Sequence, residues 1–308
     1  EEYKAWIDGF ARGIGHKEAI VILEPDGLGI IPWYKPFRGT GSEQGYDWCQ
    51  PSEANEATAA DERFEMLNYA VNTLKAKPNV SVYLDGTHSA WLNISDASHR
   101  LLQAGVENAD GFYLNASNYQ FTANSVHYGT WVSSCISMWD PANLSSYVDC
   151  PNQYWNGGPD GTKIADLLGA WTGVALSSYG EWSDESDVPE FNTSGINVRY
   201  AGTEPTTHFV IDTSRNGLGP WEPGDYPDAQ DWCNPPGRGL GIPTTADTGN
   251  PLVDAYLWIK IPGESDGECT RGLGNAGETV DPEWGLIDPP AGEWFPEMAL
   301  ELAQNANP

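Results

Sequence analysis

The chain has 308 residues, with 15 Lys and Arg against 44 Asp and Glu, for a formal net charge of −29. That balance excludes nucleic acid and anionic membrane surfaces as partners, because both are held through positive charge. No apolar run approaches the ~18–20 residues of a membrane span, so a neutral ligand is the natural partner.

In chain order, Tyr3, Trp6, Ile7, Phe10 and Ile14 recur at helical spacing and predict a helix over 2–17. Ala19 to Leu23 reads as a strand buried on both faces, the habit of parallel sheets. Pro25 cannot donate to a ladder and ends it, which leaves Glu24 and Asp26 at a carboxyl end, where α/β proteins place their chemistry. On these residues alone, Glu24 could equally cap the next segment and Asp26 could simply open a turn. Residues 32–52 read as loop. A helix is predicted over 53–75, with Ser52 as N-cap and Phe64, Leu67, Ala70, Val71 and Leu74 as its stripe.

The strand design then repeats. Val80 to Asp85 ends on an acid followed by Gly86 and His88. After a helix around 96–107, Gly111 to Asn115 ends on an amide, with Asn118 and Tyr119 just beyond. Residues 124–162 read as a long irregular insertion, and 193–201 as helical in part. His208 to Asp212 is the next strand, followed by a Gly/Pro/Trp-rich loop. A last strand begins at Tyr256 and runs toward Lys260, Glu264 and Asp266. The loop over 267–292 and a helix over 293–305 close the chain. Four strands that deliver acids at one end predict a single carboxylate-rich cleft in one α/β domain over 1–308.

Five strands are too few for a closed parallel barrel, and the first helix has no strand before it to cross over from. Both facts predict that further N-terminal strands lie outside this sequence. None of the five cysteines sits in a C-x-x-C pair and the histidines lack metal-ligand spacing, so disulfides are expected and no metal or cofactor is. Cys135 and Cys150 can close a loop inside the 124–162 insertion. Cys233 and Cys269 follow the Asp231-Trp232 pair and the Asp266 segment, which leaves Cys49 alone.

The 14 Trp and 14 Tyr add the ligand class, since many lie in predicted loops. Some Trp rings must cover core. Yet flat rings beside carboxylates and amides suit a sugar, and paired carboxylates are the apparatus of glycoside hydrolysis. No G-x-S-x-G elbow, P-loop or G-x-G-x-x-G points to another reaction.

Several of these stretches carry a resemblance. Glu24-Pro25-Asp26-Gly27-Leu28 resembles the E-P-D-S-L signature of glycoside hydrolase family 6, with Gly27 where Ser is usual. Tyr83-Leu84-Asp85-Gly86-Thr87-His88-Ser89-Ala90-Trp91 is similar to its Y-L-D-A-G-H-x-x-W, and Asn115-Ala116-Ser117-Asn118-Tyr119 to its N-x-x-N-Y. Asp231-Trp232-Cys233-Asn234 matches its D-W-C-N. Trp258 to Gly267 is similar to its W-x-K-x-x-G-E-x-D-G. The matches keep the family order and span nearly the whole chain.

The resemblance implies a distorted seven-stranded parallel β/α barrel that hydrolyses β-1,4-glucosidic bonds with inversion. It implies a secreted, monomeric protein whose partners are cellulose and cello-oligosaccharides. Asp26 would be the general acid, Asp266 the base or charge partner, and Asp85 a supporting acid. Lys260 and Glu264 would hold the −1 sugar, with His88, Asn115 and Asn118 as further substrate-binding residues. Trp232 would stack in a minus subsite and Trp91 in a plus subsite, while Ile94 replaces a Trp of fungal members. The Y-D-x-P-x-R-D-C motif, with a second catalytic Asp and the usual partner of Cys49, is absent. The resemblance further implies a raised pKa for Asp26 but not for Asp266. Roofing loops over 124–162 and 267–292 predict a cellobiohydrolase working from the non-reducing end, with an open-cleft endoglucanase and a non-catalytic sugar binder as alternatives.

Overall fold

The computed structural model describes residues 1–35, 49–139, 150–154 and 174–306, so Trp48, Trp155 and much of the 124–162 segment lie outside the described residues. Five strands form one parallel sheet in chain order: β1 (Ala19–Leu23), β2 (Val80–Asp85), β3 (Gly111–Leu114), β4 (His208–Asp212) and β5 (Val253–Leu257). Leu23 pairs with Leu84, Asp85 with Tyr113, Leu114 with Ile211, and Asp212 with Leu257. The carboxyl ends therefore lie side by side, and the loops leaving them open along one edge. Among the described residues the helices are α1 (Glu2–Ile14), α2 (Ala59–Lys75), α3 (Ile94–Gln103), α4 (Thr122–Ser137), α5 (Ser194–Tyr200) and α6 (Pro296–Gln304). No described helix is long and apolar enough to cross a membrane.

The period of two along each strand separates core from chemistry. Val80, Val82 and Leu84 of β2 join the large core with Phe64, Leu67 and Val71 of α2 and Ile94, Ala97 and Leu101 of α3. Tyr83 instead meets Tyr113 and Val210 in a smaller cluster on the opposite face. Asp85, two residues after Tyr83, belongs to that second face, as does Asp212, two residues after Val210. Burying aliphatic rows on the helix side supplies the driving force, roughly 1.5–3 kcal/mol per large side chain.

Several expected elements are corrected. Residues 122–137 are not irregular insertion but α4, packed against α3 and β4. Ten of its residues are buried, including consecutive ones such as Trp131 to Ile136, so it carries no amphipathic stripe from which its period could be read. Helix α2 starts at Ala59 rather than 53, since Pro51 and Asn55 turn the chain first and Thr58, not Ser52, precedes it. Gly15, at φ 63°, ends α1 at Ile14. Strand β5 is Val253–Leu257, earlier than expected. Beyond it the chain bends so that the N–H groups of Ile259 and Lys260 donate to the Asp212 carboxylate (3.3 and 3.1 Å) instead of continuing the ladder. Disulfides Cys135–Cys150 and Cys233–Cys269 form as expected, and Cys49 has no disulfide partner among the described residues.

One buried arginine links helix to loop. Arg100 of α3 is 1% exposed and donates to Asp96 (2.8 Å) and to the carbonyls of Leu28 (2.8 Å) and Gly29 (3.2 Å). Its guanidinium also lies 4.4 Å from the centre of the Tyr34 ring. Removing one member of a buried pair strands the other charge, so Arg100→Met should cost about 3–5 kcal/mol. Chemical denaturation of the variant beside wild type measures this, and a loss below about 1 kcal/mol would remove Arg100 from the fold's supports.

Candidate active site

Asp26 leaves β1 in a tight turn in which Gly27 N donates to Glu24 O (2.8 Å). Glu24 and Asp26 both have positive φ, 52° and 64°. Such backbone costs roughly 1–3 kcal/mol per residue and persists only where surroundings enforce it. Here Tyr3 Oη and Arg63 Nη2 both donate to the Glu24 carboxylate and pin the turn. Burial pushes the Asp26 carboxyl above its ordinary value.

Asp85 sits behind that turn, 3% exposed, and accepts the N–H groups of Thr87 (2.8 Å), Leu28 (3.1 Å) and Gly29 (3.4 Å). Burial pushes its pKa up to about 7 against those three donors, with the charge of Asp26 adding to the rise. Asp26 and Asp85 thus stand at the ends of neighbouring strands, both raised chiefly by burial.

Asp266 is placed differently. Arg215, fully buried, grips both its oxygens at 2.9 Å, while Tyr119 Oη (2.9 Å) and Asn234 N (3.1 Å) donate to Oδ2. The guanidinium also lies 4.3 Å from the centre of the Tyr119 ring. Lys260 Nζ stands 4.0 Å from Asp266 Oδ1 and 3.8 Å from Glu264. These charge-assisted bonds fix the position and orientation of the Asp266 carboxylate.

Asp26, His88, Trp91, Asn118, Trp232, Lys260 and Asp266 line one cleft of ≈ 770 Å³. The Trp232 ring is 53% exposed, free to take a flat partner. The Trp91 ring lies over Gly29, where even a Cβ would come within 2.4 Å of it. His88 Nδ1 accepts from Ala90 N–H (3.3 Å), which puts the ring proton on Nε2. Burial lowers that ring to about 4, so it meets a ligand as a neutral donor.

Three expected site residues stand outside the lining. Asp85 is behind the Asp26 turn. Asn115 is fully buried with its amide committed to Asp212 O (2.9 Å) and to Gln120. Glu264 pairs in a short bridge with Trp294. The sequence reading missed Arg215, Tyr119 and Asn234 as contacts of Asp266. It also missed Tyr179 and Asp231, which line the same cleft and share a hydrogen bond of 3.0 Å. Arg215 stood three residues after Asp212, a spacing that could have drawn attention to it.

The family model described as glycosyl hydrolases family 6 matches residues 1–306. Endoglucanase A of Cellulomonas fimi is 32% identical over 99% of this chain and 42% of its own length. Endoglucanase A of Thermobispora bispora is 30% identical over 99% of this chain and 43% of its own. The chain thus spans less than half the length of these two relatives. Among solved structures, the endoglucanase Cel6 from Mycobacterium tuberculosis, held with a methyl cellobiosyl-thio-cellobioside, is 31% identical with a TM-score of 0.57, over 98% of this chain and 67% of that one. The catalytic core of a Chaetomium thermophilum cellobiohydrolase shares the fold, with a TM-score of 0.54 at 24% identity over 100% of this chain and 69% of that one.

Asp85 gives a pH signature. Its folded pKa of about 7 exceeds an unfolded value near ~3.9, so the folded chain binds the extra proton between them. Its contribution to stability is therefore full below about pH 4, falls as pH rises to about 7, and stays low above that. Asp85→Asn removes the slope, and the difference in Tm, variant minus wild type, should climb across that window in calorimetric scans. Parallel Tm curves would contradict the assignment.

Proposed function

Because the chain belongs to glycosyl hydrolase family 6, we propose that it hydrolyses β-1,4-glucosidic bonds of cellulose and cello-oligosaccharides with inversion at the anomeric carbon. The observation that carries this reading is the cleft itself. It sets Asp26, desolvated and raised, and Asp266, locked by Arg215, beside the exposed Trp232 ring.

The chemistry follows from the two environments. A carboxyl whose pKa is raised by burial holds its proton more readily and can hand it to a leaving glycosidic oxygen, and Asp26 is that general acid. Asp266 supplies negative charge to the positive character developing on the sugar ring, while water attacks the opposite face and gives its proton to Asp266, directly or through a second water. Asp85 holds the turn of Asp26 through the N–H groups of Leu28 and Gly29. Trp232 and Trp91 stack on sugar faces, while His88 Nε2–H and Asn118 bond hydroxyls. Lys260 faces the sugar next to Asp266, with Glu264 holding the lysine and Asn115 shaping the loop that carries Asn118.

The sheet is proposed to be part of a distorted seven-stranded barrel that continues past β1. Ile20, on that edge strand, is 53% exposed. Two disulfides suit an oxidising, extracellular setting.

For the mode of attack, internal cleavage is the better-supported reading. Helix α4 packs into the core instead of roofing the cleft, and the relatives at 30% identity or more are named endoglucanases. Among the described residues, a processive cellobiohydrolase acting from the non-reducing end is favoured by the 267–292 segment. That segment is stapled by Cys233–Cys269 and contributes Ala291 to the cleft.

Asp26→Asn should abolish reducing-sugar release from swollen cellulose while leaving cellohexaose binding within about threefold. Turnover like wild type in that variant would refute the acid assignment, and proton NMR of the first product formed should show the α-anomer. On carboxymethylcellulose, internal cleavage predicts a rapid fall in viscosity with little soluble sugar. Slow viscosity loss with cellobiose as the dominant product from insoluble cellulose would instead establish processive action.

A further inference from the structure

We propose that Asp288 is a positioning residue for the reaction centre, holding Asp266 in place through Asn234. The inference rests on the reading that Asp266 serves the reaction.

Asn234 is fully buried, has a φ of 40°, and is the hub between two acids. Its Oδ1 accepts from Asp266 N (2.7 Å) and its own N–H donates to Asp266 Oδ2 (3.1 Å), so it clamps both backbone and side chain of Asp266. On the other side its Nδ2 donates to Asp288 Oδ2 (2.8 Å), Gly267 O (2.9 Å) and Ser265 Oγ (3.0 Å). Its carbonyl accepts from Trp284 Nε1 (2.7 Å) and Arg271 Nη2 (3.2 Å). The acceptor at Asp288, together with the carbonyl of Gly267, sets which end of the Asn234 amide faces Asp266. With the amide reversed, an NH₂ would confront the N–H of Asp266 and the clamp would open.

The surroundings of Asp288 define the form in which it does this. It is 1% exposed, and its Oδ1 has no hydrogen-bond partner among the described residues. The charged groups facing it are Asp281, on the same segment, and Arg271, which bonds Asp281 through Nη2 (2.7 Å) and Nε (3.3 Å). Carboxylate oxygens of Asp281 and Asp288 and the sulfur of Cys269 lie within 4.8 Å of one another. That sulfur is committed to Cys233 and Asp281 to Arg271, so the set is built for a proton rather than a cation. One guanidinium balances one carboxylate. Burial, with the Asp281 charge adding, pushes Asp288 up to about 7. Below that pH the buried group is neutral as a whole. Above it, two carboxylates share one cation: the bond from Asn234 favours the charged form of Asp288, and burial and the Asp281 charge oppose it.

The test compares Asp288→Asn, a neutral isostere at every pH, with Asp288→Ala, which removes the acceptor. On cellohexaose, Asp288→Asn should keep kcat within about twofold at pH ~5.5 and move the alkaline limb of the kcat profile up by about one pH unit. Asp288→Ala should lose about tenfold or more in kcat with little change in KM. A profile for Asp288→Asn that superposes on wild type would overturn the proposal, and it decides the matter even if the alanine variant fails to fold. Asp266→Asn is the control. If it keeps wild-type turnover, the reading of Asp266 has failed, and the Asp288 network is then judged on stability. The Tm advantage of wild type over Asp288→Asn should shrink as pH rises from about 4 to about 7, where the folded state alone holds the proton. A constant difference would refute the network independently.

Discussion

Two buried carboxylates hold the working edge of this sheet together. Asp212, 1% exposed at the end of β4, accepts the N–H groups of Ser214 (2.9 Å), Ser117 (3.0 Å), Lys260 (3.1 Å) and Ile259 (3.3 Å). It therefore joins the segments leaving β3, β4 and β5. Asp85 does the same for those leaving β1 and β2, through Leu28, Gly29 and Thr87. Loop N–H groups that turn inward must find acceptors, and a buried carboxylate needs several donors to offset its desolvation. Each need satisfies the other. The price is backbone strain, seen in the positive φ of Glu24, Asp26, Thr87, Asn115 and Ser117 around the same edge.

The charge balance acquires a structural meaning here. In a chain of net charge −29, three of the few cations, Arg100, Arg215 and Arg271, are among its most deeply buried large side chains. Each meets one carboxylate: Asp96, Asp266 and Asp281. Arginine suits this use because its planar fork stays charged and bonds two oxygens or a carboxylate and carbonyls together. One pair supports the Asp26 turn, one fixes Asp266, and one anchors the segment behind it. The remaining charge is strongly acidic.

Much of the fold was legible because parallel strands are apolar on both faces and end abruptly. His208 to Asp212 shows this; Ala19 to Leu23 is equally apolar, yet only Val21 and Leu23 are buried and Ile20 is exposed, so one face of β1 is not covered as expected. Helix α4 was not, because Trp131 through Ile136 are buried all round and leave no stripe. Strand β5 was misplaced because Trp258 to Ile261 is apolar enough for a strand. Its N–H groups go instead to Asp212, an acceptor on another strand.

The chain's own sequence determined the acids and amides at the strand ends and the aromatic rings beside them, because residue type and local spacing are sufficient for these. It could not say which of those groups meet. Asp266 is gripped by residues 51, 147 and 32 positions away, Arg215, Tyr119 and Asn234. Asn115, although it sits in a recognisable motif, turns its amide to Asp212 rather than to the cleft. Only the tertiary structure decided those partnerships. Burial and hydrogen-bond satisfaction act between neighbours in space, and a parallel sheet brings together strand ends that the chain keeps far apart.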